Sequence, residues 1–81
     1  MTASESLPDL EWQPYFLRGS RSRMKQFVVR GDVEYELCAE GGNHVVRRTE
    51  RKGGRVTMTE TARGSQRDAE AVWGRIVHGL G

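Results

Sequence analysis

Arg47, Arg51 and Arg55 are the residues of this chain whose type and spacing come nearest to a binding chemistry. They flank the turn Lys52-Gly53-Gly54 and are interleaved with Thr49, Thr57 and Thr59. On one face of a β-hairpin, these guanidinium and hydroxyl groups would meet successive phosphates of a nucleic acid, with an affinity that falls steeply as salt rises. Arg21 and Arg23 lie in a stretch from Arg18 to Arg30 that holds five bases and no acid, and would steer a polyanion towards them. The block that follows carries four acids, Asp32, Glu34, Glu36 and Glu40. Strands of opposite sign neutralise one another across a sheet, so Glu34 and Glu36 offer the same arginines a purely structural role.

Catalytic chemistry finds less support. Cys38, His44 and His78 match no metal-ligand spacing. The hairpin between Cys38 and His44 puts these two on opposite faces of a sheet, which separates thiol from base. No carboxylate pair or nucleophile–base pair is suggested by spacing. The glycine-rich segments lack phosphate-loop spacing and join strand to strand, with no helix following. Arg30-Gly31-Asp32 spells an integrin-recognition tripeptide but reads as a turn. The expectation is a non-enzymatic protein with no cofactor, no metal and no small-molecule substrate.

A second group of residues points to protein–protein contact. Trp12, Tyr15 and Phe16 form an aromatic arm that is a large apolar load for so short a chain. It either completes its own core or joins a second copy. Ala71 and Gly74 sit on the helix side away from the apolar stripe, where a partner backbone would find room. Glycine within a helix costs about 1 kcal/mol relative to alanine, so Gly74 asks for a reason.

Three glycine turns set the elements that hold these groups: Arg30-Gly31-Asp32-Val33, Glu40-Gly41-Gly42-Asn43 and Lys52-Gly53-Gly54-Arg55. Each lies between runs rich in β-branched or alternating residues, the pattern of a β-hairpin. Strands are expected at 23–30, 33–40, 44–51 and 55–61. Residues 33–40 alternate cleanly, with Val33, Tyr35, Leu37 and Ala39 on one face and Glu34, Glu36, Cys38 and Glu40 on the other. A two-residue Gly41-Gly42 turn pairs Leu37 with Val46 and Glu36 with Arg47. A three-residue Lys52-Gly53-Gly54 loop would put Val56 and Met58 on the face of Val46, and Arg55, Thr57 and Thr59 beside Arg47. The first hairpin has two readings: a two-residue turn sets Val28 beside Tyr35 and turns Phe27 and Val29 to the outer face, whereas a three-residue loop does the reverse.

The helix is marked by Ser65, a good N-cap, with Asp68 three residues on. Ala69, Val72, Trp73, Ile76, Val77 and Leu80 then recur as one apolar stripe, and Gly79 can end it. Pro8 and Pro14 argue against a helix in the arm, where Tyr15 to Arg18 can form a first strand. Together these elements predict an α+β fold, a four- or five-stranded antiparallel β-meander packed on one C-terminal α-helix. Residues 1–6 read as a disordered tail and residues 7–81 as one small domain. In its order of elements, Val33 to Gly79 resembles the WGR domain. The tripeptide Trp73-Gly74-Arg75 falls in the expected helix, whereas in that domain it belongs to a strand, so no residue role carries over.

The chain has 81 residues, a formal net charge of +2 and one cysteine. One cysteine excludes an intrachain disulfide. With no leader pattern and no long apolar run, the expected setting is soluble and cytoplasmic, away from membranes. A preference for arginine over lysine suggests a bacterial or phage source. The sequence reading is thus a small interaction or regulatory module that self-associates, for instance as a homodimer. Its alternative is nucleic-acid binding through the basic sheet face and basic loop.

Overall fold

The computed structural model describes residues 10–16 and 21–79. Five strands form one antiparallel sheet: β1 (Gln13–Pro14), β2 (Ser22–Arg30), β3 (Val33–Glu40), β4 (Asn43–Lys52) and β5 (Arg55–Gly64). Helix α1 (Gln66–Gly79) follows. The strand order is β1-β5-β4-β3-β2. The last four strands are therefore a meander, and the arm joins its far end.

Glycine sets the turns. At Gly41-Gly42 and Gly53-Gly54 all four φ angles are positive, from 53° to 85°, as the two-residue hairpin turn that matches strand twist requires. The Gly41-Gly42 turn pairs Leu37 with Val46 and Glu36 with Arg47, as the sequence predicts. The first hairpin adopts the two-residue reading, with Val28 opposite Tyr35. The third departs from expectation. Its turn has two residues, so Arg51 faces Val56 and Thr49 faces Met58. Val56 and Met58 thus share the face of Arg47, while Arg55, Thr57 and Thr59 turn to the other side. One residue of loop length inverts the strand.

The helix forms as its stripe requires. The Ser65 hydroxyl accepts the Asp68 amide at 3.1 Å, which satisfies one orphan donor of the first turn. Ala69, Trp73 and Ile76 are buried against Tyr35, Leu37 and Val46. The helix crosses β3, β4 and β5. Each fully buried aliphatic side chain here contributes roughly 1.5–3 kcal/mol, and Leu37, Ile76 and Val46 form the centre.

The arm runs differently from the expected strand at Tyr15–Arg18. Gln13 and Pro14 pair with Glu60 and Thr59, and the Tyr15 amide donates to the Met58 carbonyl at 3.1 Å. Alternation along the arm sends Trp12 to the helix side, 6.0 Å from the Tyr35 ring, and Tyr15 to the outer face. Pairing with β5 leaves β2 as the opposite edge of the sheet. The expected tail at 1–6, residues 17 and 18 of the expected first strand, and Leu80 lie outside the described residues. Among the described residues no helix is long and apolar enough to cross a membrane.

Candidate functional site

The outer face of the sheet, away from the helix, carries an unusual centre. Glu36, Glu40 and Glu60 are all buried there, together with Cys38, Val45 and Thr49. Burying a carboxylate is tolerable only where opposite charge and hydrogen bonds replace water. Two arginines supply them. Arg47 Nε lies 2.7 Å from Glu36 Oε1, and its Nη1 lies 3.8 Å from Glu40 Oε2. Arg63 donates to Glu40 at 2.9 Å and to both oxygens of Glu60 at 2.8 Å. The Tyr15 hydroxyl donates to Glu40 Oε2 at 2.5 Å, and the Arg47 guanidinium stacks 5.1 Å from the Tyr15 ring.

A backbone irregularity assembles this cluster. Glu60 and Arg63 are three apart and would point to opposite faces of a regular strand. Between the pairs His44–Gly64 and Val46–Thr61 the register shifts, so that Ala62 and Arg63 together oppose Val45. Ala62 sits at φ 57°, in the left-handed region. The bulge turns Arg63 back onto the outer face, which is the re-aiming that bulges provide.

The electrostatics follow from the packing. Burial pushes the Glu40 carboxyl up, but the hydrogen bonds from Tyr15, Ser22 and Arg63 outweigh it and hold the group below the usual carboxylate value. Burial, helped by the Glu40 carboxylate, raises the Tyr15 hydroxyl. The Arg47 guanidinium is opposed by burial, but its bond to Glu36 keeps it firmly charged. Burial raises the Cys38 thiol, so it is a poor nucleophile. The cluster therefore acts as a clamp that fixes the arm to the sheet. Cys38 and His44 point to opposite faces. Among the described residues no group of three or more His, Cys, Asp or Glu is placed to hold a metal ion.

The residues singled out by sequence divide between these surfaces. Arg47 and Arg51 do lie on the side of Glu36 and Glu34, and they pair with them; Arg51 is 3.5 Å from Glu34. Arg55 is on the helix side, so Arg47, Arg51 and Arg55 form no common phosphate-facing surface. Arg21, just before β2, and Arg23, within it, are exposed. Of the proposed interface residues, Trp12 and Tyr15 pack on their own sheet, with the Arg48 guanidinium 5.8 Å from the Trp12 ring. Phe16 and Ala71 are exposed, and nothing lies within 4 Å of a Cβ built on Gly74.

Among the described residues, β2 offers the longest edge that no strand flanks, since β1 pairs with only Thr59 and Glu60 of β5. Its outer edge has no neighbouring strand among the described residues. Met24, Phe27 and Val29 are 47%, 57% and 51% exposed on its outer face. Long, apolar and unpaired edges are normally shortened or covered. The apolar signal of Phe27 and Val29 is in the sequence; what the sequence hides is that the arm bypasses β2.

The chain matches no family model, no curated protein and no solved structure.

Proposed function

We propose that this protein is a small interaction module that binds an extended segment of a partner protein along the free edge of β2. The observation that carries the reading is a nine-residue edge strand with Met24, Phe27 and Val29 exposed on one of its faces. Strand addition would supply backbone hydrogen bonds to the open edge, and alternate side chains of the ligand would cover this apolar row. The clamp at Tyr15, Arg47 and Arg63 supports a rigid platform for such docking, because it fixes the central strands on the side where the helix does not reach.

Titration with pools of labelled nine-residue peptides, followed by amide hydrogen exchange, tests the reading. Binding is expected to slow exchange at alternate amides between Ser22 and Arg30. Phe27→Ser should weaken binding while leaving the unfolding free energy within about 0.5 kcal/mol, because the ring is exposed. Protection that maps to α1 or to the arm, with β2 unchanged, would refute it.

A further inference from the structure

The two sides of β2 differ in chemistry, and the difference specifies a ligand. Arg23 pairs with Ala39 and Arg30 with Val33, which places both side chains on the helix side. A second bulge lies in β2 itself, where the register shifts between Met24 and Gln26 and leaves Lys25 as the extra residue. Its ammonium lies 3.3 Å from His44 Nε2, also on the helix side. Among the described residues, none of Arg23, Lys25 and Arg30 forms an ion pair with a carboxylate. The stretch from Arg21 to Arg30 contains no acid. One side of the edge strand thus carries an apolar row, and the other carries three basic side chains without a carboxylate partner among the described residues, with Gln26 and Val28 between Lys25 and Arg30 on that side.

Resting on the strand-addition reading, we infer that β2 selects an acidic partner segment in which Asp or Glu alternates with apolar residues. An added strand sends successive side chains to opposite faces. Its apolar residues then cover Met24, Phe27 and Val29, and its carboxylates meet Arg23, Lys25 and Arg30. Opposite charges across a strand pair stabilise it and like charges oppose it. For the same reason a second copy of β2 is a poor occupant: antiparallel pairing with the helices on one side would bring basic row against basic row. The lysine and bulge that guard the edge against its own kind leave an acidic strand unopposed. A nucleic acid would satisfy the basic row but would leave the apolar row and the backbone edge unused.

The test uses the full chain and fluorescence anisotropy with three labelled nine-residue peptides: alternating glutamate and valine, the serine counterpart and the lysine counterpart. A nine-nucleotide oligothymidylate is the fourth probe. The glutamate peptide is expected to bind about tenfold tighter than the serine peptide, since three opposite-charge pairs are gained, and the lysine peptide weakest. Reversing the row (Arg23→Glu, Lys25→Glu and Arg30→Glu, all exposed positions) should invert the order. Equal binding of the glutamate and serine peptides would overturn the charge selection while leaving the edge reading intact. Failure of every peptide to bind would overturn both. Oligothymidylate displacing the glutamate peptide, or light scattering that shows dimers joined through β2, would also overturn the proposal.

Discussion

Replacing Arg63 by methionine probes the clamp directly. The substitution keeps much of the side-chain volume and removes the guanidinium that holds Glu40 and Glu60, whose side chains are only 3% and 7% exposed. Stripping one partner from a buried ion pair costs about 3–5 kcal/mol. Arg63 keeps 20% of its side chain in water, which lowers the expected loss to roughly 2–3 kcal/mol. That is a large share of the roughly 4–12 kcal/mol typical of a chain this long. With a urea slope of about 1 kcal/mol per molar, the midpoint should fall by about 2–3 M at pH 7.

The pH dependence of that loss identifies its cause. In the native protein the Glu40 carboxyl is held low, so its contribution is complete above the unfolded value of about 4.3 and is lost as pH falls through the folded value. Without Arg63 the Glu40 carboxyl loses a hydrogen bond and a neighbouring positive charge that lower it, and it shifts upward from its native position, so the variant loses less stability than the native protein as pH falls. The gap between the two proteins should therefore narrow as pH falls from 7 through the carboxylate range, measured by urea unfolding at each pH. Arg63→Lys should fall between, since it restores charge without the fork. A loss under about 0.5 kcal/mol, or a gap that does not change with pH, would refute the assignment of a buried clamp.

Other substitutions read single features. Gly74→Ala should raise stability by about 1 kcal/mol, and the melting temperature by about 5 °C, because its new methyl group meets nothing within 4 Å. At position 62 the usual strand preference should reverse. Ala62→Val is expected to cost at least about 1 kcal/mol and Ala62→Gly to be nearly neutral by thermal melting, because φ is 57° there. Cys38 is fully buried with a raised thiol, so a thiol reagent such as Ellman's should label it at the rate of unfolding; prompt labelling of the native protein would contradict its burial.

The meander and helix were legible because their signals are local. Gly41-Gly42, the alternation from Val33 to Glu40 and the Ser65 cap each act over a few residues, and each appears where expected. The pairing of Glu36 with Arg47 follows from the turn alone. What was not legible depends on distant partners or on one residue of register. The turn at Lys52-Gly53-Gly54 admits two lengths, and the shorter one separates Arg55 from Arg47 and Arg51. The bulge at Ala62 leaves no signature in a residue that seldom adopts left-handed geometry, so the role of Arg63 could not be seen. The docking of Gln13 against Glu60 joins segments far apart in the chain, and it decides which strand lies at the edge.

That last pairing also orders events during synthesis. β2 to β5 close through neighbouring hairpins, the kind of contact a chain can make as it lengthens. The arm emerges before these strands but cannot dock until β5 exists. Until then its aromatic residues have no groove and the carboxylates of β3 have no lid, so a nascent chain stalled within β4 would expose the clamp half built. The arm is thus made before the strand that seats it.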